Sequence, residues 1–253
     1  MQKRNLKIFT LLTVLVLSMT LVIGCGNNTS QPANTSNPAG SENAPKVAEI
    51  KSMSGDELVK QNAAKEKDKV LIIDVRSPEE YKAGHIPHAI NINIDGFEAR
   101  MNEIEDLKEF PIILYCNSGN KSGQVAEILV NNGFTDVTNA EGVKKFEYDL
   151  VHYDDIRGAA FQKLIDENKD IVLVDVRAEK QATEEGMIAG AINVPFDAVE
   201  ANLDKLPKDK TIALYCNTGT KSAEVAQQLE GLGYENVINA IEGVKEYNFT
   251  LVK

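Results

Sequence analysis

The stretch that decides the fold is residues 112–140, which read IILYCNSGNKSGQVAEILVNNGFTDVTNA. Residues 212–240 read IALYCNTGTKSAEVAQQLEGLGYENVINA, and 15 of the 29 positions are identical at a constant offset of 100 without a gap. Upstream, VLIIDVR at residues 70–76 corresponds to IVLVDVR at residues 171–177. Solenoid repeats have periods of about 20–50 residues, so a period near 100 indicates a duplicated domain. We therefore predict two tandem domains, over residues 49–152 and 153–253.

Each copy alternates strand and helix patterns. The residues of the first copy predict a helix after the N-cap Ser54, a second helix at 123–130 that ends at Gly133, and strands at 70–73, 89–92, 112–115 and from Val137. Strands that alternate with helices predict an α/β fold whose mostly parallel sheet is covered on both faces. Ligands of such sheets bind beyond the carboxyl ends of the strands, where Cys116 and Cys216 lie.

The N-terminus predicts export and membrane anchoring. Residues 1–24 contain three basic residues, no acidic residue, and an apolar-to-neutral run at 8–23, which is typical of a secretory signal peptide. That run is shorter than the roughly 20 residues of a spanning helix. The segment LVIGC at 21–25 resembles a bacterial lipobox, which implies lipidation of Cys25 and a location at the extracytoplasmic face of the cell membrane. Residues 25–48 contain little that could form a core, so we expect a flexible linker.

The charge of the chain excludes one class of partner. The formal net charge is −11, and removal of residues 1–24 would lower it to −14. Such an acidic protein repels phosphate backbones, so we expect no nucleic-acid partner. An anionic substrate would need a local cationic site.

The segment after each buried strand is suited to cysteine chemistry. Cys116 and Cys216 are each followed by a short loop, CNSGNKS or CNTGTKS, and then by a helix. The start of a helix offers unpaired N–H groups and partial positive charge, which favour the reactive thiolate. Both loops keep a glycine that permits close backbone approach, a lysine that can attract an anion, and a serine: Gly119, Gly219, Lys121, Lys221, Ser122 and Ser222.

Two other interpretations of these cysteines exist. A cysteine at the end of a core strand can be buried and inert, and two cysteines of an exported protein can form a disulfide. Retention of the cysteine, glycine, lysine and serine in both copies favours the reactive interpretation, while neighbouring polar residues differ. A disulfide would require the two loops to meet.

At these residues the sequence resembles the rhodanese family, over about 200 residues from Ile50 onward. The first copy contains DVR at 74–76, EY at 80–81, GHIPHAIN at 84–91, and the Cys116 loop. The resemblance implies two rhodanese-like domains, each with a five-stranded, mostly parallel sheet. It also implies transfer of sulfane sulfur from a small donor, through a cysteine persulfide, to a thiol or cyanide-like acceptor. No metal or organic cofactor is expected.

The length of the cysteine loop separates two chemistries of this fold. Six residues run from Cys116 to Lys121 and from Cys216 to Lys221, counted inclusively, which matches the sulfurtransferase loop. The related dual-specificity phosphatases use a longer loop, and the tyrosine-phosphatase signature has one more residue between its cysteine and its arginine. The sequence therefore argues against a phosphatase.

Two departures from the family pattern affect the expected activity. The family usually ends the loop with arginine, which can grip an oxyanion with two hydrogen bonds, whereas lysine is a point charge. Thiosulfate is then expected to be a poor donor. In the second copy, an alignment with one inserted residue places Gly186 at Gly84 and leaves Glu80 and Tyr81 without counterparts. Because the family glutamate is expected to brace Arg76, Arg177 would need Glu184 or Glu185.

The remaining charged residues are interpreted as supporting groups. Asp74 with Arg76, and Asp175 with Arg177, end buried strands and are expected to brace the cysteine loops. His85 and His88 have no equivalent near Cys216, so we expect them to stabilise a turn. The sequence thus predicts an extracytoplasmic sulfurtransferase or persulfide carrier. The alternative is a non-catalytic module that uses the same fold to bind a partner or to sense an oxidant.

Overall fold

The computed structural model describes residues 48–63 and 66–253. The predicted signal peptide, Cys25 and the predicted linker up to residue 47 lie outside these ranges. Within them, no helix combines the length and the apolar character that crossing a membrane requires.

The first domain alternates strands and helices. Its elements are β1 (Lys51–Met53), α1 (Gly55–Gln61), β2 (Leu71–Asp74), α2 (Pro78–Lys82), β3 (Ala89–Asn91), α3 (Phe97–Arg100), β4 (Ile112–Tyr115), α4 (Asn120–Asn131) and β5 (Val137–Ala140). The predicted helix at 123–130 begins three residues earlier than expected. Strand β1 was not predicted, because its residues carry no apolar pattern and lie at the edge of the sheet.

The second domain repeats this order. Its elements are β6 (Asp154–Ile156), α5 (Gly158–Glu167), β7 (Ile171–Asp175), α6 (Glu179–Glu185), β8 (Met187–Ile188), β9 (Ile192–Asn193), β10 (Thr211–Tyr215), α7 (Thr220–Gly231), β11 (Val237–Ala240) and β12 (Leu251–Val252). The antiparallel pair β8–β12 corresponds to a single bridge between His85 and Val151 in the first domain.

Local signals explain several element ends. Ser54 and Glu57 form a capping box at the start of α1, in which each side chain accepts the other residue's backbone N–H. Gly133 has φ +89° directly after the C-cap Asn132, so it ends α4 in the left-handed conformation that glycine tolerates.

Two parallel five-stranded sheets confirm the predicted fold class. The strand orders are β1-β5-β4-β2-β3 and β6-β11-β10-β7-β9. In the first sheet the buried strand β4 directs Leu114 and Cys116 to one face and Ile113 and Tyr115 to the other, as the alternation of a strand requires. Each cysteine therefore begins its loop from a rigid central strand.

The two domains share a polar contact near β6. Asp155 is buried, and its carboxylate accepts the backbone N–H of His88 at 2.7 Å. The N–H of Asp155 donates to the hydroxyl oxygen of Tyr81 at 3.0 Å. Arg157 also pairs with Asp106 at 2.9 Å. Residues of the first domain thereby satisfy polar groups in the first strand of the second.

Candidate active site

The Cys116 thiol lies where β4 passes into α4. Its side chain is buried, and the loop reaches the helix through Gly119, whose φ of +90° is left-handed. Gly219 has the same role before α7, with φ +77°. A residue with a side chain would be strained at either position. Both cysteines are free thiols in the structure.

A neighbouring loop supports the cysteine loop from outside. The N–H of Val143 donates to Cys116 O at 3.0 Å, and the N–H of Lys144 donates to Asn117 O at 2.9 Å. A Cβ on Gly142 would lie 2.4 Å from the carbonyl carbon of Asn117, so only glycine fits this approach. The second domain repeats both bonds from Val244 and Lys245, and Gly243 replaces Gly142. Our sequence reasoning missed these residues, although EGVK at 141–144 and at 242–245 is an exact repeat.

The Cys116 sulfur is surrounded by hydrogen-bond donors. The Gly119 N–H lies 3.2 Å from Sγ, and the Ser122 hydroxyl lies 3.4 Å from it. Burial alone would raise the pKa of the Cys116 thiol, but hydrogen bonds from Ser122 and from backbone N–H groups outweigh burial and lower this pKa. The first loop therefore favours the thiolate, the form that attacks sulfur.

Asn139 links this serine to the loop. The Ser122 hydroxyl donates to Asn139 Oδ1 at 2.7 Å, and Asn139 Nδ2 donates to Gly119 O at 3.0 Å. Asn139 thus holds both ends of the turn that approaches Cys116. Nothing in the sequence reasoning singled it out, although the same asparagine recurs as Asn239 in the repeat.

The second cysteine has a different environment. Ser222 lies 3.5 Å from Cys216 Sγ, but its hydroxyl also lies 3.0 Å from Gly219 O, to which its single proton can be donated instead. Asn239 does not reach this serine, because its Nδ2 donates to the interdomain Asp155 at 2.7 Å. In the part of the chain that the structure describes, no backbone N–H meets hydrogen-bond criteria to Cys216 Sγ.

The two predicted anion-binding lysines also differ. Both are exposed at the rim of their loops. The ammonium of Lys221 lies 3.5 Å from the ring centroid of Phe196, which is a cation–π contact. Lys121 forms no ion pair within the described ranges. The hydrogen bond from Asn117 is the main cause of a lowered pKa at Glu80, and the charge of Lys121 makes a smaller contribution in the same direction. Lys121 is therefore freer to meet an anion.

Each predicted Asp–Arg pair is buried, but its hydrogen bonds run to the turn that follows the strand and not to the cysteine loop that it was expected to brace. The Arg76 side chain donates to both carboxylate oxygens of Asp74 and to Gly84 O at 2.7 Å. Arg177 repeats this arrangement with Asp175 and with Gly186 O at 2.6 Å. Both pairs tie the end of a central strand to the following turn.

The structure corrects the predicted role of Glu80. Among the described residues, Glu80 forms no hydrogen bond with Arg76, whose guanidinium donates to Asp74 and to the Gly84 carbonyl. Its carboxylate instead accepts from Asn117 Nδ2 at 2.7 Å, which ties α2 to the cysteine loop.

The expectation that Glu80 lacks a counterpart was also wrong. Gln181 occupies the equivalent place and donates to Asn217 Oδ1 at 3.0 Å. The insertion therefore falls after this position, toward the end of α6. Of the two glutamates expected as partners of Arg177, Glu184 and Glu185, it is Glu185 that pairs with it, at 3.1 Å.

His85 and His88 both lie in the turn between α2 and β3. His85 is buried and stacked on Tyr81, and burial lowers its pKa to about 3, which keeps the ring neutral. His88 has φ +64°, and burial lowers its pKa to about 4. Among the residues that the structure places, no group of three or more His, Cys, Asp or Glu side chains could hold a metal ion.

Comparison with known proteins agrees with this geometry. The model of the rhodanese-like domain matches residues 56–146 and 159–249. Thiosulfate sulfurtransferase PspE of Escherichia coli (strain K12) is 43% identical over 72 residues, 28% of this chain and 69% of that protein. A sulfurtransferase of Allochromatium vinosum is 31% identical over 83 residues, 33% of this chain and 76% of that protein. The solved structure of a rhodanese with anions from E. coli is 39% identical, covers 32% of this chain and 96% of that chain, and has a TM-score of 0.31.

The fold and the site define an α/β protein in which each domain holds a cysteine at the N-terminus of a helix. Because the two matched regions together cover more than half of the chain, the protein belongs to the rhodanese family and contains two rhodanese-like domains in tandem. Its relatives include sulfurtransferases, which supports a general role in sulfur transfer.

Proposed function

We propose that this protein is a sulfurtransferase or persulfide carrier in which Cys116 is the main nucleophile. One observation carries the proposal: the Gly119 N–H and the Ser122 hydroxyl converge on Cys116 Sγ at 3.2 and 3.4 Å. Donors in this arrangement stabilise a thiolate, and they can equally hold the negative terminal sulfur of a persulfide.

The proposed reaction has two displacement steps. The Cys116 thiolate attacks the outer sulfur of a donor such as thiosulfate, a sulfur–sulfur bond forms, and sulfite leaves with the electron pair of the broken bond. A thiolate or cyanide then attacks the terminal sulfur of the persulfide and takes it away, which regenerates the Cys116 thiolate. Each step exchanges one bond to sulfur for another, so no external oxidant or reductant is required.

Polysulfide is an alternative donor for the same site. Lysine at position 121 offers a charge without the two parallel donors of arginine, so thiosulfate would be gripped less firmly than in relatives with arginine. A donor that needs no bidentate contact avoids this disadvantage.

We also propose that the protein acts at the extracytoplasmic face of the cell membrane and is anchored by lipid on Cys25. The signal-like residues 1–24 and the lipobox-like segment LVIGC at 21–25 support this location.

Sulfur loading tests the proposed activity. The reduced protein is incubated with thiosulfate or with polysulfide, and intact and peptide masses are measured before and after dithiothreitol. We expect reversible addition of one sulfur atom at Cys116, and its absence in Cys116→Ser. No adduct at Cys116 or Cys216 with either donor would overturn the proposal and favour the non-catalytic binding or redox-sensing module.

A further inference from the structure

The first domain places a buried lysine against the cysteine loop of the second. Lys67 lies in the short 3-10 turn Lys67–Lys69 before β2, and its side chain is only 7% exposed. Its ammonium donates to Thr218 O at 2.5 Å and to Ile241 O at 3.4 Å, and it pairs with Asp68. Thr218 belongs to the Cys216 loop, so this contact joins one domain to the reactive segment of the other.

This contact completes the support of the second loop. The carbonyl groups of Cys216 and Asn217 accept the N–H groups of Val244 and Lys245 at 3.0 Å each. Lys67 supplies the donor for the next carbonyl, that of Thr218. In the first domain the corresponding carbonyl, that of Ser118, accepts no hydrogen bond within the described ranges. The second loop thus depends on a donor that the first loop does without.

The contact with Lys67 affects the orientation of the peptide between Thr218 and Gly219. A trans peptide is planar, so the Thr218 carbonyl and the Gly219 N–H point in opposite directions. Gly219 (φ 77°, ψ −19°) has nearly the backbone conformation of Gly119 (φ 90°, ψ −13°), whose N–H donates to Cys116 Sγ. A Thr218 carbonyl that Lys67 holds therefore restricts the directions open to the Gly219 N–H, which in the structure does not itself form a hydrogen bond with Cys216 Sγ.

We propose that Lys67 is a positioning residue for the second active site, supplied by the neighbouring domain. By holding the Thr218 carbonyl, it fixes the peptide that carries the Gly219 N–H, so that this donor can turn to Cys216 once the cysteine bears a negative charge as a thiolate or as a persulfide. The persulfide part of this proposal rests on the proposed function, whereas the thiolate part does not. The charge of Lys67 lies among acidic groups, Asp68 and the partly buried Glu246, so its binding to the loop is favoured over its release.

The test measures the reactivity of each cysteine in the same protein. The full chain and its variants Lys67→Met, Lys67→Arg and Lys69→Met are alkylated with iodoacetamide over a range of pH, and peptide mapping gives separate rates for Cys116 and Cys216. Lys69 is the matched control, because it is exposed and, among the described residues, pairs with Glu66 alone. Far-ultraviolet circular dichroism verifies that each variant is folded.

We expect Lys67→Met to slow the alkylation of Cys216 severalfold near neutral pH, because less of this cysteine would be present as the thiolate. The Cys116 profile should not move, Lys67→Arg should restore most of the rate, and Lys69→Met should have no effect. An unchanged Cys216 profile in Lys67→Met would overturn the proposal. Faster alkylation would also overturn it, since the lysine would then only cover the loop.

This readout separates the two proposals. Alkylation requires a thiolate but no sulfur transfer, so a protein that never loads sulfur can still show the Lys67 effect. Conversely, a protein that loads sulfur on both cysteines with an unaltered Cys216 profile in Lys67→Met would refute only the role of Lys67.

Discussion

The carboxylate of Asp155 accepts a hydrogen bond from the side-chain amide of Asn239 at 2.7 Å, within the contact between the two domains. The equivalent amide of the first domain, Asn139, instead accepts the hydroxyl of Ser122 beside Cys116. One exchange of partners therefore gives two nearly identical loops different surroundings.

Cys116→Ser should remove most of the thiosulfate:cyanide sulfur transfer, and Cys216→Ser only a minor part. The reason is that Cys116 Sγ accepts the Gly119 N–H at 3.2 Å, whereas no backbone N–H of the described residues forms a hydrogen bond with Cys216 Sγ. Steady-state rates of the two single variants and of the double variant provide the measurement. Rates in the reverse order would show that these donors do not limit the chemistry.

Lys121→Ala should raise the KM for thiosulfate by about two- to fivefold, the effect of one exposed charge contact worth at most about 1 kcal/mol. Lys121→Arg should lower this KM, because arginine adds a bidentate contact. The same substitutions at Lys221 should have weaker effects, since its ammonium already lies on the Phe196 ring. An uncharged donor serves as the control, and equal losses with both donors would mean that the lysines only support the loop.

Asp155 should make the stability of the protein depend on pH. Burial raises the pKa of Asp155 to about 7, and the charge of Asp154 raises it further. The hydrogen bonds from Asn239 and from the His88 N–H lower this pKa, as does the charge of Lys67, but they do not outweigh burial. The ordinary aspartate pKa is about 3.9, so the folded protein binds this proton more tightly than the unfolded chain. The stability that this group contributes is therefore full below about pH 4 and is lost as the pH rises toward 7.

Asp155→Asn removes that titration. The free energy of unfolding of the variant, relative to the parent, should rise between about pH 4 and pH 7 by about 4 kcal/mol at most. Urea unfolding at several pH values measures this difference, and Asp149→Asn, at an exposed aspartate, is the control. A constant difference across the range would show that the carboxylate stays ionised inside the fold.

Cys25→Ser should abolish lipidation and release most of the protein from the membrane fraction of the cell. Stable anchoring requires acyl chains buried in the membrane. The lipid is attached through the cysteine sulfur, which serine lacks. Fractionation followed by detection of the protein is the measurement, and Cys116→Ser is the matched control that leaves the anchor intact. A Cys25→Ser protein that remained tightly bound would show that the hydrophobic segment itself is retained.

The segment at Ile86 and the corresponding segment at Ile188 keep the same hydrogen bond in both domains, although their sequences differ. An alignment of the two copies places Ala189 where the first copy has Pro87, and the loss of this rigid residue predicts a looser second loop. In the structure, however, the Ile188 N–H donates to the Tyr215 hydroxyl at 3.0 Å, as the Ile86 N–H does to Tyr115 at 3.1 Å. Strand pairing between β8 and β12 adds further support in the second domain. The expected order of the two cysteines therefore rests on the Gly119 N–H, which reaches Cys116 Sγ and has no counterpart at Cys216 among the described residues, rather than on the missing proline.

The sequence by itself determined the duplicated α/β fold, the position of each cysteine after a buried strand, and the glycine turn before each helix. These features are local, because a run of β-branched residues, a helix start and a left-handed glycine each depend on a few neighbouring positions. Only the tertiary structure decided which partners surround each thiol. Asp155 and Lys67 act across a domain contact between residues far apart in the chain, and no local pattern records which carbonyl or amide they meet.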